Sequence, residues 1–148
     1  MSYQERNIVV YIVSGIIVMA VYTMHMQALF EAGLLESPNA GVEIGWSVLK
    51  LIGGSIIATI VVTILVTIIN AIITKETDVD ASDERDKQID LLGMKVGFIA
   101  FSVIFIGIFI GLIFGLTTTM AMIAMIYAMW FSSIIESVVR LYVYRQGF

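Results

Sequence analysis

The chain has 148 residues, 59% of them apolar and 14% charged, with a formal net charge of −4 and no cysteine. A soluble domain averages roughly 45–50% apolar and about 25% charged residues, so this excess of Ile, Val, Met and Phe is too large for the core of one short soluble chain. The acidic balance excludes a general nucleic-acid-binding surface, which needs a basic patch. The lack of cysteine excludes disulfides, thiolate metal sites and Cys nucleophiles.

The first apolar run, Ile8 to Phe30, outlasts the roughly 7–15 residues of a signal-peptide core, and Glu5 beside Arg6 is a poor leader for one. It is expected to be a retained transmembrane helix. A polar connection from Glu31 to Gly45 follows, with Pro38-Asn39 and Gly41 as turn formers. The second run is Val48 to Ile73, the third Val96 to Leu116, and the fourth Thr118 to about Leu141. Each has about the 20 residues that cross a ~30 Å hydrocarbon layer. Lipid offers no partner for backbone polar groups, so such runs must be helical; strand alternation is absent, which disfavours a β-barrel. Gly115 to Thr119 reads as a tight turn joining helices three and four as an antiparallel hairpin. The expected fold is all-α: a polytopic membrane protein with one domain over 1–148, a four-transmembrane-helix bundle. Its helices are placed at about 8–30, 46–74, 83–116 and 118–143, with an acidic loop at 74–90.

Arg6, Lys75, Arg85, Lys87, Lys95, Arg140 and Arg145 fall on one side of a four-span topology; Lys50 alone falls on the other. The positive-inside rule therefore predicts cytoplasmic N- and C-termini and a multi-pass place in the cell (inner, cytoplasmic) membrane. Trp46 suits the outer interface, and Tyr142 and Tyr144 the inner one.

Three helices carry small residues four apart. Helix two has Ser55, Thr59, Thr63, Thr67 and Ala71; helix three has Gly107, Gly111 and Gly115; helix four has Ala124, Ala128 and Ser132, continued by Glu136 and Arg140. Such seams let helices approach closely, within the bundle or between two copies as a homodimer.

Intramembrane charge is costly and therefore informative. Glu136 and Arg140, four apart, can pair along one helix face, and Asn70 and Lys95 fall at similar depth. These four are predicted to form a polar cluster near the cytoplasmic surface, either anchoring the helices or serving a ligand, proton or partner. His25 is the only histidine; it cannot supply a multi-His metal site and is read as making a single hydrogen bond. Met120, Met122, Met125 and Met129 run around helix four and are read as packing and lipid contacts rather than a copper site.

In the acidic loop, Asp78, Asp80 and Ser82 match the first alternate ligands of a calcium loop, but Asp83 stands where glycine is required and Ile89 where a bidentate Glu is needed. An EF-hand is rejected; no metal or cofactor site is expected. Asp83 reads instead as a helix N-cap with Asp86 at N3, Glu84 and Asp86 complementing the helix dipole. Helix three is thus expected to begin near Asp83 and to project about three turns into the cytoplasm, where its charges offer a handle for a partner.

Asp83-Glu84-Arg85-Asp86, followed by Ile89 and a membrane helix, resembles the acidic-arginine signature of a family of small predicted integral membrane proteins of unknown function. The tail from Glu136-Ser137-Val138-Val139 to Tyr144-Arg145-Gln146-Gly147 is similar to that family's ending. Members often show a second basic residue where Gln146 stands, so no tail-specific role is carried over. The resemblance covers mainly helices three and four. Some members lie beside small helix-turn-helix regulators, which implies a sensor or regulatory partnership by association.

No HExxH, no GxSxG and no pair of mid-membrane aspartates is present, so the chain is not expected to be an enzyme and no residue is assigned a catalytic role. The expected function is association in the bilayer, with itself or with a membrane or cytoplasmic protein partner. The alternative is a small oligomeric transporter or channel with Glu136 as the coupling carboxylate.

Overall fold

The computed structural model describes residues 3–74 and 84–146, apart from the side chains of residues 3, 70, 71, 73 and 74. The described chain is all-α: α1 Tyr3–Glu31, a single 3-10 turn Leu34–Glu36, α2 Ala40–Thr74, α3 Glu84–Ile113 and α4 Thr118–Gln146. All four helices are long and apolar enough to cross a membrane. Asp83, assigned above as the cap of helix three, and most of the acidic loop lie outside the described residues.

Helix ends follow local chemistry. After α1, Gly33 takes φ 70, a left-handed conformation that costs glycine nothing. The second helix starts at Ala40 rather than near 46. The reason is the Pro38-Asn39 turn: the Asn39 carbonyl accepts the amides of Val42 (2.9 Å) and Glu43 (3.2 Å), so the helix propagates at once through a weakly apolar first turn.

The end of α3 corrects the reading of two glycines. Gly115 has φ 100; its amide donates to the Leu112 carbonyl (3.3 Å), and the Leu116 amide donates to the Gly111 carbonyl (2.9 Å). This is a Schellman stop, with the left-handed residue at C′ and the apolar contact between its C″ and C3 positions: Leu116 lies over Gly111. Gly111 and Gly115 thus end a helix instead of packing two helices together. Thr117 then starts α4, its hydroxyl accepting the Met120 amide (3.2 Å) as an N-cap.

Consecutive helices run antiparallel. α4 packs on α3 along most of its length and on α1 by another face, while α1 packs on α2; α2 touches α4 only lightly, and α3 makes no broad contact with α1 or α2. The order across the molecule is α3, α4, α1, α2. Two apolar cores hold it. One, of Met19, Tyr22, Met26, Leu29, Leu35 and Ile44, closes the end opposite the termini, packed against Ile123, Ile126, Tyr127 and Trp130 of α4. The other joins α3 to α4 through Ile108, Ala121 and Ala128. Outward faces carry Ile57, Phe98, Val103 and Ile113, all more than half exposed, as lipid contact requires.

Candidate functional site

At the end of the molecule that carries both termini, α3 and α4 are brought together by two glycines. A Cβ on Gly97 would lie 3.0 Å from the Glu136 Cβ and 3.3 Å from the Ser132 carbonyl oxygen; one on Gly93 would lie 2.6 Å from the Arg140 Cγ. Gly93 and Gly97 are four apart on the buried face of α3, the spacing at which small residues let two backbones approach.

That approach sets the polar groups against each other. Arg140 donates through Nη2 to Glu136 Oε1 at 2.5 Å and pairs through Nη1 with Asp90 Oδ1 at 3.4 Å. One turn nearer the end, the Tyr144 hydroxyl donates to Asp86 Oδ1 at 2.8 Å. The Arg140 and Glu136 side chains are only 24% and 27% exposed, so the pair is held in a partly desolvated place where charge-assisted bonds are strong. Arg140 Nε is buried and meets no acceptor among the described residues, because the stem of the side chain is pressed against Gly93. Deeper on α4, the hydroxyls of Ser133 and Tyr11 meet at 3.1 Å and tie in α1. Together Gln4, Asn7, Ile8 and Tyr11 of α1, Asp90 of α3, and Ser133, Glu136, Ser137, Arg140 and Tyr144 of α4 line a half-open polar cleft of about 420 Å³.

Of the predicted cluster, Asn70, Lys95, Glu136 and Arg140, the structure places two residues in contact. Glu136 and Arg140 come together; the Asn70 side chain lies outside the described residues. Lys95 is exposed and makes no ion pair among the described residues. It sits two positions from both Gly93 and Gly97, hence about 200° round the helix from the face that meets α4. Its place is taken by Asp90, which shares the register of Asp86, Gly93 and Gly97. The acidic-arginine segment is split by the same register. Glu84 pairs with Lys87 at 3.1 Å on the surface, Arg85 is exposed, and Asp86 turns to Tyr144.

The remaining predicted packing residues are placed as follows. Gly107 is exposed, and a Cβ there would meet nothing within 4 Å. Ser55 and Thr59 border a groove between α1, α2 and α4, and Thr59 and Thr63 a smaller one against Arg6 and Asn7 of α1. His25 bridges α1 and α2 through Ser47 (3.0 Å). Asp90, Gly93 and Gly97 were not singled out by sequence, and Tyr144 only as an interface residue. Their signal was the glycine pair at 93 and 97, masked by Lys95 between them and by an apolar run that starts only at Val96.

Among the described residues no group of three or more His, Cys, Asp or Glu is disposed to hold a metal ion. The geometry offers fixed charge and hydrogen bonding, with two carboxylates, Asp90 and Glu136, to one guanidinium, Arg140, in the lining of the cleft. Comparison with protein-family models, with curated proteins and with solved structures gives no match.

Proposed function

We propose that this is a small multi-pass protein of the cell membrane, with both termini and the acidic 74–90 segment in the cytoplasm, that works by association rather than by catalysis. The observation that carries the reading is the polar cleft at the terminal end. Asp90 and Glu136 outnumber Arg140 in its lining, and the helical faces between the two ends of the molecule are built for lipid. Such a cleft suits a basic segment of a membrane or cytoplasmic partner, which would exchange ion pairs with Asp90 and Glu136. The partnership implied by the acidic-arginine signature points to the same end. Self-association as a dimer is the other form of this reading, and the open outer face at Gly107 is the place for a second copy's helix.

The chain contains no cysteine, so single cysteines test both parts. A cysteine at Ser37 is expected to react with an impermeant maleimide in intact cells, and one at Arg145 only after permeabilisation. Co-isolation of differently tagged copies, with cross-linking from Arg145→Cys, is expected to recover a second copy or a partner, lost with Asp90→Lys. Recovery of lone monomer from every cross-linked membrane preparation sinks the proposal.

One observation favours a second reading, as a transporter. Glu136 borders both the polar cleft and a groove between α3 and α4 lined by Met94, Phe98, Phe101 and Met129. Ligand-dependent proton release in liposomes, abolished by Glu136→Gln, is its test.

A further inference from the structure

The half of the molecule away from the termini holds a different cavity. Between α1 and α2 runs a slot of about 440 Å³, with Lys50, His25 and Ser47 at one end and Ile17, Val21 and Ala58 towards the other. From His25 to Ile17 α1 extends about 12 Å. The polar end lies one turn from Trp46, which is exposed and of the type that marks a membrane interface; the apolar end lies deeper. The slot therefore changes from polar to apolar in the sense in which a lipid of that leaflet is oriented.

Its polar groups differ in what they leave available. The Ser47 hydroxyl donates to the Glu43 carbonyl (2.8 Å), so it accepts its bond from His25 Nε2–H (3.0 Å). The Ser47 hydroxyl and the His25 Nε2–H are thus paired within the protein. Lys50 makes no ion pair among the described residues. The acids of that end, Glu31, Glu36 and Glu43, do not line the slot. Tyr22, which also lines it, keeps its buried hydroxyl without a hydrogen-bond partner among the described residues. The α2 wall is kept low by Gly54, where a Cβ would meet nothing within 4 Å. The volume is near the lower end of the ~300–1,000 Å³ range of small-molecule sites, room for one acyl chain.

We propose that this slot binds a single-chain amphiphile with an acid head, its head oxygens against the Lys50 ammonium and its chain between α1 and α2. The inference rests on the membrane embedding of these helices and is independent of the terminal-end cleft. The probe is a long-chain fatty acid bearing a diazirine, with its methyl ester for comparison, added to the full chain in phosphatidylcholine vesicles. Photolabelled positions are then mapped by peptide mass spectrometry. Label from the acid is expected to concentrate on Ile17, Val21 and Ala58, about three- to fivefold above the ester, the worth of one partly exposed charge pair. Lys50→Gln is expected to bring the acid down to the ester's level. Gly54→Leu fills the slot and is expected to abolish labelling there; Gly53→Leu, also in open space but outside the slot, leaves it unchanged and controls for folding. The proposal is overturned if acid and ester label alike, if outward residues such as Ile57 and Val103 label as densely as the slot, or if Gly54→Leu has no effect.

Discussion

The α3–α4 hairpin and the α1–α2 pair are both antiparallel pairs of long apolar helices, yet they are held in opposite ways. In the hairpin, Gly93 and Gly97 bring α3 against Ser132, Glu136 and Arg140, and Ala121 and Ala128 continue the contact to the far end. In the α1–α2 pair a small core closes the end at Leu35 and Ile44, one side-chain bond joins His25 to Ser47, and the remaining length is separated by grooves. Both helices of this pair have small polar residues, as the hairpin has, but these do not close it. Ser55 donates to the Ile52 carbonyl and Thr67 to the Thr63 carbonyl. A hydroxyl that bonds its own helix has no proton left to donate to a neighbouring one. Without a hydrophobic drive between helices in lipid, close packing needs backbone approach; α3 has it and α2 does not. The loose pair accordingly keeps a slot along its length, whereas the hairpin keeps only the open groove beside Gly97.

The largest effect expected from this contrast is at Gly97. Gly97→Leu drives a side chain into Glu136 and a backbone carbonyl that cannot yield, and should destabilise the hairpin by about 1–3 kcal/mol, read as earlier unfolding on heating in detergent. Gly107→Leu on the same helix faces open space and should stay within about 0.5 kcal/mol of the parent. Equal losses at the two sites would refute the glycine-seam account. Next is Arg140→Gln, which leaves Glu136 and Asp90 side by side without their cation. Because Asp90 is half exposed, solvent screens part of the cost, and a loss of about 1–2 kcal/mol is expected in the same heating experiment.

Much of the fold was legible because the membrane imposes a simple rule: about twenty apolar residues must form a helix. Ile8, Val48, Val96 and Thr118 each open such a run, and each lies in a helix of the structure. The arrangement of the helices was harder to read. Gly107, Gly111 and Gly115 are as evenly spaced as Gly93 and Gly97, but two of the first three serve a helix stop. Spacing alone does not separate a stop from a seam; the polar turn that follows Gly115 does. The polar cluster was placed by depth, which Lys95 and Asp90 share well enough to be confused. Rotation about the helix decides between them, and that phase is set by the glycines.

A third test concerns how the tight pair is joined. Gly115→Ala forces a Cβ into φ 100 and should cost about 1–2 kcal/mol, a value that falls on the hairpin alone and leaves labelling of the α1–α2 slot unchanged.

The smallest expected effect is the most exacting for the contrast. Ser47→Ala removes the acceptor of the His25 bond, the one side-chain hydrogen bond seen between α1 and α2 among the described residues. Interhelical hydrogen bonds in membranes average about 0.6 kcal/mol, and the Ser47 bond to its own helix backbone adds little, because the Glu43 carbonyl can still accept the Ser47 backbone amide in the helical ladder. The loss should therefore be about 0.6 kcal/mol, and Ser47→Thr, which keeps the hydroxyl, should restore most of it. A loss as large as that from Gly97→Leu would mean that a single polar bridge holds the α1–α2 pair as firmly as a glycine seam holds the hairpin. Backbone approach would then no longer explain why one pair closes and the other keeps its slot.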